Sequence, residues 1–280
     1  MNEGLMNDNI FDKFKMNGQT AVVTGAGLLG SQFAKTLAQA GADVIVADLN
    51  MELAEKAAEA ARADGGKCLP FRLDVTDPAS TQAMADFAVE KTGRLDALIC
   101  SAAMDPKFDA THARNTNNFE DYPLDQWQAA VNVNLTGLFL CAQAAVKPMK
   151  KQNHGVIINI CSTYGLAGPD QRIYEKEGQD PNNRQYKPVY YSVTKAGVLG
   201  LTRYLATYYA GTGIRANALT PGGVFNNNDD EFVTRYSYRA VLGRMAHQDE
   251  MNGAILFLAS DASTYMTGAN LVVDGGWTAW

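Results

Sequence analysis

Three residues in the second half of the sequence have the types and spacing needed to move a proton onto or off an alcohol oxygen. Tyr191 and Lys195 are four residues apart in "PVYYSVTKAG", so a helix would place both side chains on one face. A lysine cation within ~4 to 6 Å favours the phenolate and can lower a tyrosine pKa by ~1 to 3 units. Ser162 ends the apolar run "GVIINICS" and adds a hydroxyl. The set suits general acid–base chemistry, although an aromatic residue beside a helix can equally serve packing.

The adjacent Tyr190 competes with Tyr191 for this role. In a helix its side chain is turned about a quarter-circle or more away from that of Tyr191. Its neighbour four residues on is Thr194, which carries no charge. The spacing therefore favours Tyr191.

A second group of residues, near the start of the chain, has the pattern of a dinucleotide site. Gly25, Gly27 and Gly30 have the G-x-G-x-x-G spacing between an apolar run and a helical pattern. Glycines allow a tight turn and the close approach of a pyrophosphate to a helix N-terminus. Asp48 ends the next apolar run, eighteen residues beyond Gly30, where its carboxylate could accept hydrogen bonds from the adenosine ribose. An ordinary solvated aspartate is the alternative interpretation.

The carboxylate of Asp48 also bears on which cofactor binds. It would repel a 2′-phosphate, and no Arg or Lys lies in the glycine turn or directly after Asp48. The sequence therefore predicts NAD rather than NADP. Asp74, at the end of the third apolar run, is expected on the same rim near the adenine, while Asp77 is expected to cap a helix.

Positioning these residues requires alternating strands and helices. Residues 51–64 and 78–92 repeat Ala and Leu at helical spacing, and seven short apolar runs are strand candidates. The runs are "TAVVT", "DVIVAD", "CLPFRLD", "LDALICSA", "GVIINICS", "RANALTP" and "ANLVVDGG". The alternation predicts an α/β, Rossmann-type doubly wound fold, with a mainly parallel seven-stranded sheet and helices on both faces. We expect an N-terminal extension at 1–17, one NAD-binding catalytic domain at 18–280, an insertion near 166–188 and a short lid near 222–243.

Composition excludes several other classes of function. The net charge of −6 is spread without long runs, which disfavours nucleic acid or an anionic membrane as a partner. The four cysteines and three histidines are scattered singly, so no metal site is expected. We found neither a signal-peptide pattern nor an apolar run near the ~20 residues of a membrane span, and expect a cytoplasmic protein.

Several segments together resemble the short-chain dehydrogenase/reductase family over nearly the whole chain. The segment "VNVNLTGLF" resembles the Asn segment of the family, "INICSTYG" its Ser strand, and "YSVTKAGVLGLTR" its Tyr and Lys helix. By this resemblance, Tyr191 exchanges the hydroxyl proton and Lys195 lowers the pKa of Tyr191 and holds the nicotinamide ribose. Ser162 positions the reacting oxygen, and Asn134 anchors a water relay.

The resemblance also extends the predicted cofactor site. The segment "ALTPGGVFN" is similar to the family segment that contacts the nicotinamide, and the end of the chain is similar to the closing helix and strand of the family. Besides the glycines, the two aspartates Asp48 and Asp74, Tyr191 and Lys195, the implied cofactor-binding residues are Leu29, Leu49, Val75, Ser101, Ala102, Pro221, Gly222, Val224 and Asn226.

Three departures from the family are visible. The glycine turn "TGAGLLG" is one residue shorter, "CSAA" stands where the family has Asn-Asn-Ala-Gly, and Asn226 replaces a Thr. Ser162 and Tyr191 are also twenty-nine residues apart, so an insertion lies beside the active site.

The insertion is basic and the lid polar, which favours a sugar, polyol, aldonate or sugar phosphate as substrate. The insertion brings Arg172, Lys176, Arg184 and Lys187, although surface charge is the simpler explanation for each one. The predicted substrate-binding residues are Lys107, Ser162, Tyr164, Arg184 and Asn226. Among relatives, the chain looks similar to sugar and sugar-acid dehydrogenases and to bacterial surface-sugar, flagellin-modification-like dehydrogenases.

Two alternatives stay open, a 3-oxoacyl thioester reductase-like enzyme and a non-catalytic NAD-binding sensor. The first usually uses NADPH and meets an acidic partner with a basic surface, so Asp48 and the net charge count against it. The complete set of four catalytic residue types counts against the second. The resemblance also implies a homo-oligomer, a tetramer or a dimer.

Overall fold

The computed structural model describes residues 9–105, 117–178, 180 and 184–280. The strands are β1 (Thr20–Thr24), β2 (Asp43–Asp48), β3 (Lys67–Arg72), β4 (Ala97–Cys100), β5 (Gly155–Ile160), β6 (Ile214–Pro221) and β7 (Asn270–Val273). The α-helices are α1 (Leu28–Gln39), α2 (Met51–Ala63), α3 (Pro78–Thr92), α4 (Leu124–Val131), α5 (Gly137–Gln152), α6 (Val189–Tyr208), α7 (Asp230–Arg239) and α8 (Asn252–Ala259). All seven predicted strands are present.

The strands form one parallel sheet in the order β3-β2-β1-β4-β5-β6-β7. The chain builds outward from β1 in one direction to β3, then returns to pair β4 with β1. This reversal opens a crevice at the carboxyl ends of the central strands, which is where ligands bind in such sheets. The predicted Rossmann-type α/β fold is confirmed.

Apolar residues cover both faces of the sheet, as a parallel sheet requires. One buried cluster packs α1, α2 and α8 against the sheet, and a second packs α3, α5 and α6 against the other face. Strands β1, β4 and β5 are buried along their whole length, which explains why their sequences are largely apolar. On α2, the apolar stripe consists of Ala54, Ala57, Ala58 and Ala61, so this helix approaches the sheet closely.

Local signals explain where two of the helices begin and end. The side chain of Asp77 accepts a hydrogen bond from the Ala79 N–H at 2.9 Å, so Asp77 caps α3 as predicted. Pro188 precedes α6 with φ −66°, a geometry suited to the start of a helix. Helix α3 ends at Gly93, whose φ of 82° is in the left-handed region.

The long apolar stretch Leu124–Gln152 is, by length and composition, able to cross a membrane. It comprises α4, one π-helical turn at Asn132–Thr136, and α5. Half of its most apolar window is buried inside the fold, as in core helices of soluble proteins.

The described part of the predicted N-terminal extension contacts the domain. Residues Ile10–Phe14 form a 3₁₀-helix, and Met16 is fully buried in the first core cluster. The Met16 N–H donates to the Ala40 carbonyl at 2.8 Å. The boundary at residue 17 stays a prediction, but Met16 packs as part of the core.

Candidate active site

A cavity of about 1180 Å³ lies at the carboxyl ends of the strands. The segments after β1, β2, β4, β5 and β6 line it, together with α6, the insertion and the lid. The predicted residues on the cavity wall are Gly25, Gly27, Leu29, Gly30, Asp48, Leu49, Asp74, Val75, Ser101, Ala102, Ser162, Tyr164, Tyr191, Lys195, Pro221, Gly222, Val224 and Asn226. One cavity therefore brings together most of the residues that the sequence singled out.

The glycine turn is shaped by steric limits at two positions. Gly25 has φ 84°, and a Cβ there would lie 2.7 Å from the Ala102 Cα. A Cβ on Gly30 would lie 1.7 Å from the Gly25 carbonyl oxygen. By contrast, a Cβ on Gly27 would meet nothing within 4 Å, because that side of the turn faces the cavity. The shortened turn therefore leaves room for a pyrophosphate at the start of α1 and fits a dinucleotide.

The carboxylate of Asp48 is held by the backbone on both oxygens. One oxygen accepts from the Ala26 N–H at 2.7 Å and the other from the Asn50 N–H at 2.9 Å. Each oxygen has further lone pairs for a ribose hydroxyl. Arg72 is paired with Asp48 in the register of β2 and β3, but its side chain does not line the cavity.

The carboxylate of Asp74 is engaged locally. Its oxygen accepts from both the N–H and the hydroxyl of Thr76, and these bonds lower the pKa of Asp74 below its usual value. Asp74 lines the same end of the cavity as Asp48, as expected for a residue near the adenine.

The predicted proton-transfer residues meet at the other end of the cavity. Ser162 lines the cavity together with Tyr191, and its hydroxyl is close enough to lower the pKa of the Tyr191 phenol. The Lys195 ammonium lies 5.7 Å from the centre of the Tyr191 ring and donates to the Ile160 carbonyl at 2.8 Å. Because an ammonium has three donors, this bond fixes Lys195 while leaving donors directed elsewhere.

Tyr190 lies apart from this group. It is buried and packs against Tyr122, with ring centres 6.2 Å apart, and it does not line the cavity. Its backbone carbonyl accepts from the Thr194 hydroxyl at 2.8 Å. Of the two neighbouring tyrosines, only Tyr191 faces the cavity.

The pKa of Tyr191 departs from the sequence-based expectation. The phenol is surrounded by enough protein that burial is the largest cause, and it raises the pKa well above 10. The hydrogen bond from Ser162 lowers it, whereas the nearby carboxylate of Asp105 raises it. Burial likewise lowers the pKa of Lys195. Desolvation of the phenol therefore dominates, and the lowered pKa that the spacing predicts is not found.

Asn134 lies behind the cavity wall, on the π-helical turn. Its amide oxygen accepts from the Met104 N–H at 2.6 Å, and its amide nitrogen donates to the Met104 carbonyl at 3.0 Å. Insertion of an extra residue into a helix often marks a functional position. Here the π-helical turn directs Asn134 towards Met104, the residue that follows "CSAA". The Asn134 amide therefore bonds the backbone of Met104 directly.

The predicted substrate residues fall into different places. Tyr164 is buried at the cavity, where its hydroxyl accepts from that of Tyr174 at 3.0 Å. Arg184 does not line the cavity, because its guanidinium pairs with Glu175 at 2.6 Å and lies over the Tyr186 ring. Lys107 lies outside the described residues.

Side chains from the insertion and the lid add a wall that the sequence did not reveal. Tyr236 of α7 stacks on Trp277 at 4.2 Å, and Phe232 of α7 contacts Tyr174 of the insertion at 5.6 Å. The hydroxyl of Tyr236 also accepts a hydrogen bond from the Gly223 N–H. The lid is thus polar at its tip and aromatic on its inner face.

The insertion packs against the lid of its own chain. Asp170 of the insertion bonds Arg239 of α7 at 2.9 Å and also binds Arg172 at 2.8 Å. These two guanidinium groups hold the pKa of Asp170 well below its usual value. The Glu177 N–H donates to the side chain of Glu231 on α7 at 3.0 Å. The insertion therefore helps to close the cavity.

Among the residues that the structure describes, no cluster of His, Cys, Asp or Glu has the arrangement of a metal site. The four cysteines are all buried and unpaired by disulfides.

Two family models match the chain along most of its length. The model for "short chain dehydrogenase" matches residues 19–174, and the model for "Enoyl-(Acyl carrier protein) reductase" matches residues 178–278.

Individual relatives act on different alcohols. The chain is 36% identical to a "3-alpha-(or 20-beta)-hydroxysteroid dehydrogenase" of Mycobacterium tuberculosis, over 95% of this chain and 91% of that protein. It is 34% identical to a D-threitol dehydrogenase of Mycolicibacterium smegmatis, over 95% of each. A crystal structure of a gluconate 5-dehydrogenase from Burkholderia cenocepacia, in complex with NADP and tartrate, is 31% identical with a TM-score of 0.82, covering 97% of this chain and all of that one.

Proposed function

The chain belongs to the short-chain dehydrogenase/reductase family, and we propose that it uses NAD to interconvert a secondary alcohol and a ketone on a small polar substrate. It is an oxidoreductase that acts on CH–OH groups with a nicotinamide dinucleotide. The preference for NAD and the class of substrate are the proposed parts. The substrate classes that we propose are sugars, polyols, aldonates and sugar phosphates.

The chemistry assigns one task to each side chain. Bound NAD supplies the hydride acceptor in the oxidation direction. Tyr191 takes the hydroxyl proton, and Ser162, which lines the same cavity, orients the reacting oxygen. Lys195, whose Nζ is 5.7 Å from the centre of the Tyr191 ring, would offer its ammonium to the phenolate and to the nicotinamide ribose of a bound cofactor. In the reverse direction, Tyr191 returns the proton to the ketone oxygen.

The position of Asp48 is the observation that carries the choice of NAD. Two backbone N–H groups orient its carboxylate at the adenosine end, and a 2′-phosphate would bring a second negative group against it. Among the described residues, no Arg lines the cavity, and its lysines, Lys176, Lys187 and Lys195, come from the insertion and α6 and not from the segments beside Asp48. NADP in the related gluconate dehydrogenase is the reason to test the preference directly.

A polar substrate is supported by the polar part of the cavity that Tyr191 faces. Its wall also carries Asn226, Asn227, Asn228 and Asp229, which offer amide and carboxylate partners for hydroxyl groups. Aromatic rings beside them can stack on the apolar faces of a sugar or a polyol. The similarity to a D-threitol dehydrogenase agrees with this class.

A second candidate substrate is an alcohol on an alicyclic ring. It is favoured by the apolar part of the same wall, where Tyr164, Ile173, Tyr174 and Phe232 lie together. Some relatives, including the hydroxysteroid dehydrogenase, act on ring alcohols.

Initial rates with NAD and with NADP, each against a matched panel of alcohols, test the proposal. The panel would contain D-threitol, D-gluconate, a hexose phosphate and 4-hydroxycyclohexanecarboxylate. We expect turnover with NAD and with a member of the first three. Equal or better rates with NADP would contradict the assignment of Asp48, and turnover of the ring alcohol alone would favour the second candidate.

A further inference from the structure

Lys187 of the insertion lies closer to the reactive tyrosine than the lysine of the family motif does. Its Nζ is 4.0 Å from the centre of the Tyr191 ring, whereas that of Lys195 is 5.7 Å away. The two lysines are four residues before and four residues after Tyr191. Two ammonium groups therefore lie within 6 Å of the centre of the Tyr191 ring, one from a lysine before Tyr191 in the sequence and one from a lysine after it.

The protein holds Lys187 at both ends of the residue. The side chain of Gln171 accepts from the Lys187 N–H at 2.8 Å and donates to its carbonyl at 3.2 Å. At the other end, Nζ bonds the Asp105 carboxylate at 2.7 Å. Lys187 is 9% exposed and Asp105 is 62% exposed, so the ammonium is inside and its counter-ion faces solvent. Gln171 of the insertion and Asp105 after β4 thus together fix the position of the Lys187 ammonium.

A cation over a phenol ring favours the ionised form. The charge of a phenolate spreads into its ring, and an ammonium within about 6 Å of the ring centre is attracted to it. The surrounding protein disfavours an isolated phenolate, so a second cation is needed most at a desolvated site. We propose that Lys187 is a positioning residue for catalysis, whose ammonium stabilises the Tyr191 phenolate while Asp105 holds it in place and moderates its charge. The inference rests on the proposed function.

Other polar groups act on Tyr191 as well, from every element packed against it. They are Lys195 on α6, Asp105 after β4, Cys161, Ser162 and Tyr164 after β5, and Tyr174 on the insertion. Of these groups, Lys195 is the second cation, and Asp105 is a carboxylate that raises the pKa of Tyr191. The net effect of Lys187 is consequently set by its balance with Asp105.

An alternative role for Lys187 is to bind an anionic group of the substrate. The Asp105 carboxylate, 2.7 Å from Nζ, argues against that role because it would repel the same anion. The two roles predict different kinetics. Loss of a substrate ligand raises KM, whereas loss of a cation beside the phenolate moves the pH dependence of turnover.

The experiment compares pH profiles of kcat and kcat/KM for alcohol oxidation in K187M, D105N and the wild type. Removing the cation should move the limb that reports Tyr191 ionisation to higher pH by about 1 unit or more. Replacing Asp105 by Asn keeps an oxygen acceptor for Nζ but removes the opposing charge, so the limb should move to lower pH. R172M removes another basic residue of the insertion, exposed and away from the cavity, and should leave the limb unchanged.

The same variants are followed by NMR of protein labelled with ¹³C at tyrosine Cζ, where the Tyr191 signal is the one absent from Y191F. This readout needs no substrate, so a panel without turnover would reject the proposed function and still test Lys187. Opposite displacements in K187M and D105N support the proposal. The proposal would be overturned if neither the pH-profile limb nor the titration of the Tyr191 ¹³Cζ signal moved in either variant. It would also be overturned if K187M raised KM without moving the limb or the titration.

Discussion

Different kinds of groups form the two ends of the cavity. The adenosine end consists of backbone: glycines that exclude a Cβ and an aspartate oriented by two N–H groups. The alcohol end consists of side chains that come from distant segments, among them Lys187, Tyr174 and Phe232. Backbone sites depend on short sequence patterns, whereas side-chain sites depend on packing between segments. Substitutions at the adenosine end should therefore cause large losses of cofactor binding. Substitutions at the alcohol end should cause smaller, graded changes in activity.

The largest effect is expected at the glycine turn. In G30A the new Cβ would lie 1.7 Å from the Gly25 carbonyl, so the turn must move. We expect loss of NADH binding and a free energy of unfolding lower by about 3 kcal/mol. NADH fluorescence titration and thermal unfolding would measure the two effects.

G27A is the matched control, because its Cβ would enter open space and its φ of −68° suits any residue. It should fold like the wild type and weaken NADH binding by occupying the phosphate side. Wild-type binding by G30A would contradict the role given to this turn.

An intermediate effect is expected for D48N. Two charge-assisted acceptors for the ribose become weaker, and repulsion of a 2′-phosphate disappears. The ratio of kcat/KM for NAD to that for NADP should fall by about 10- to 100-fold, since each such bond is worth about 1.5 to 3 kcal/mol. E52Q removes a nearby negative charge that does not line the cavity and should keep the ratio. Equal ratios in D48N and the wild type would contradict the assignment.

The smallest effect is expected where the insertion meets the lid. R239M removes the bond from α7 to Asp170, so KM for the alcohol should rise about three- to tenfold, as for one partly exposed bond with a net contribution of about 0.6 to 1.4 kcal/mol. KM for NAD should stay the same. R172M, which removes the exposed partner of the same carboxylate, is the control. A larger change in KM for NAD than for the alcohol would contradict the assignment of this contact to the alcohol end of the cavity.

The pH dependence of that contact has a defined sign. The folded-state pKa of Asp170 is lowered below 3.8, so the stabilisation is complete above that value and is lost as pH falls through the folded-state pKa. KM for the alcohol should therefore show no step from Asp170 between neutral pH and about pH 5. A step in that range that R239M abolishes would contradict this assignment.

Features that depend on short segments could be predicted from the sequence. Strand positions follow from apolar runs, the glycine turn from its spacing, and the shared face of Tyr191 and Lys195 from helical geometry. Each of these three features depends on a pattern within about ten consecutive residues. The structure confirms the sheet and brings most of the predicted residues to one cavity.

Other features depend on contacts between distant segments and could not be predicted. The sequence showed the basic residues of the insertion but not their partners: Arg184 pairs with Glu175 and Lys187 with Asp105. The polar lid sequence also gave no sign of an aromatic inner face, because the rings that Phe232 and Tyr236 contact come from other segments of the chain. The direction of the Tyr191 pKa depends on burial, which no spacing reveals.

The most direct test of the account measures NADH binding and alcohol turnover in Y191F beside Y190F. Y191F should still bind NADH, because the glycine turn and Asp48 are unchanged, and should lose about 10²- to 10⁴-fold in kcat, as expected when a proton-transfer group is removed. Y190F alters the buried neighbour that does not face the cavity and should retain turnover. Full turnover by Y191F, or equal losses in both variants, would contradict the assignment of proton transfer to Tyr191.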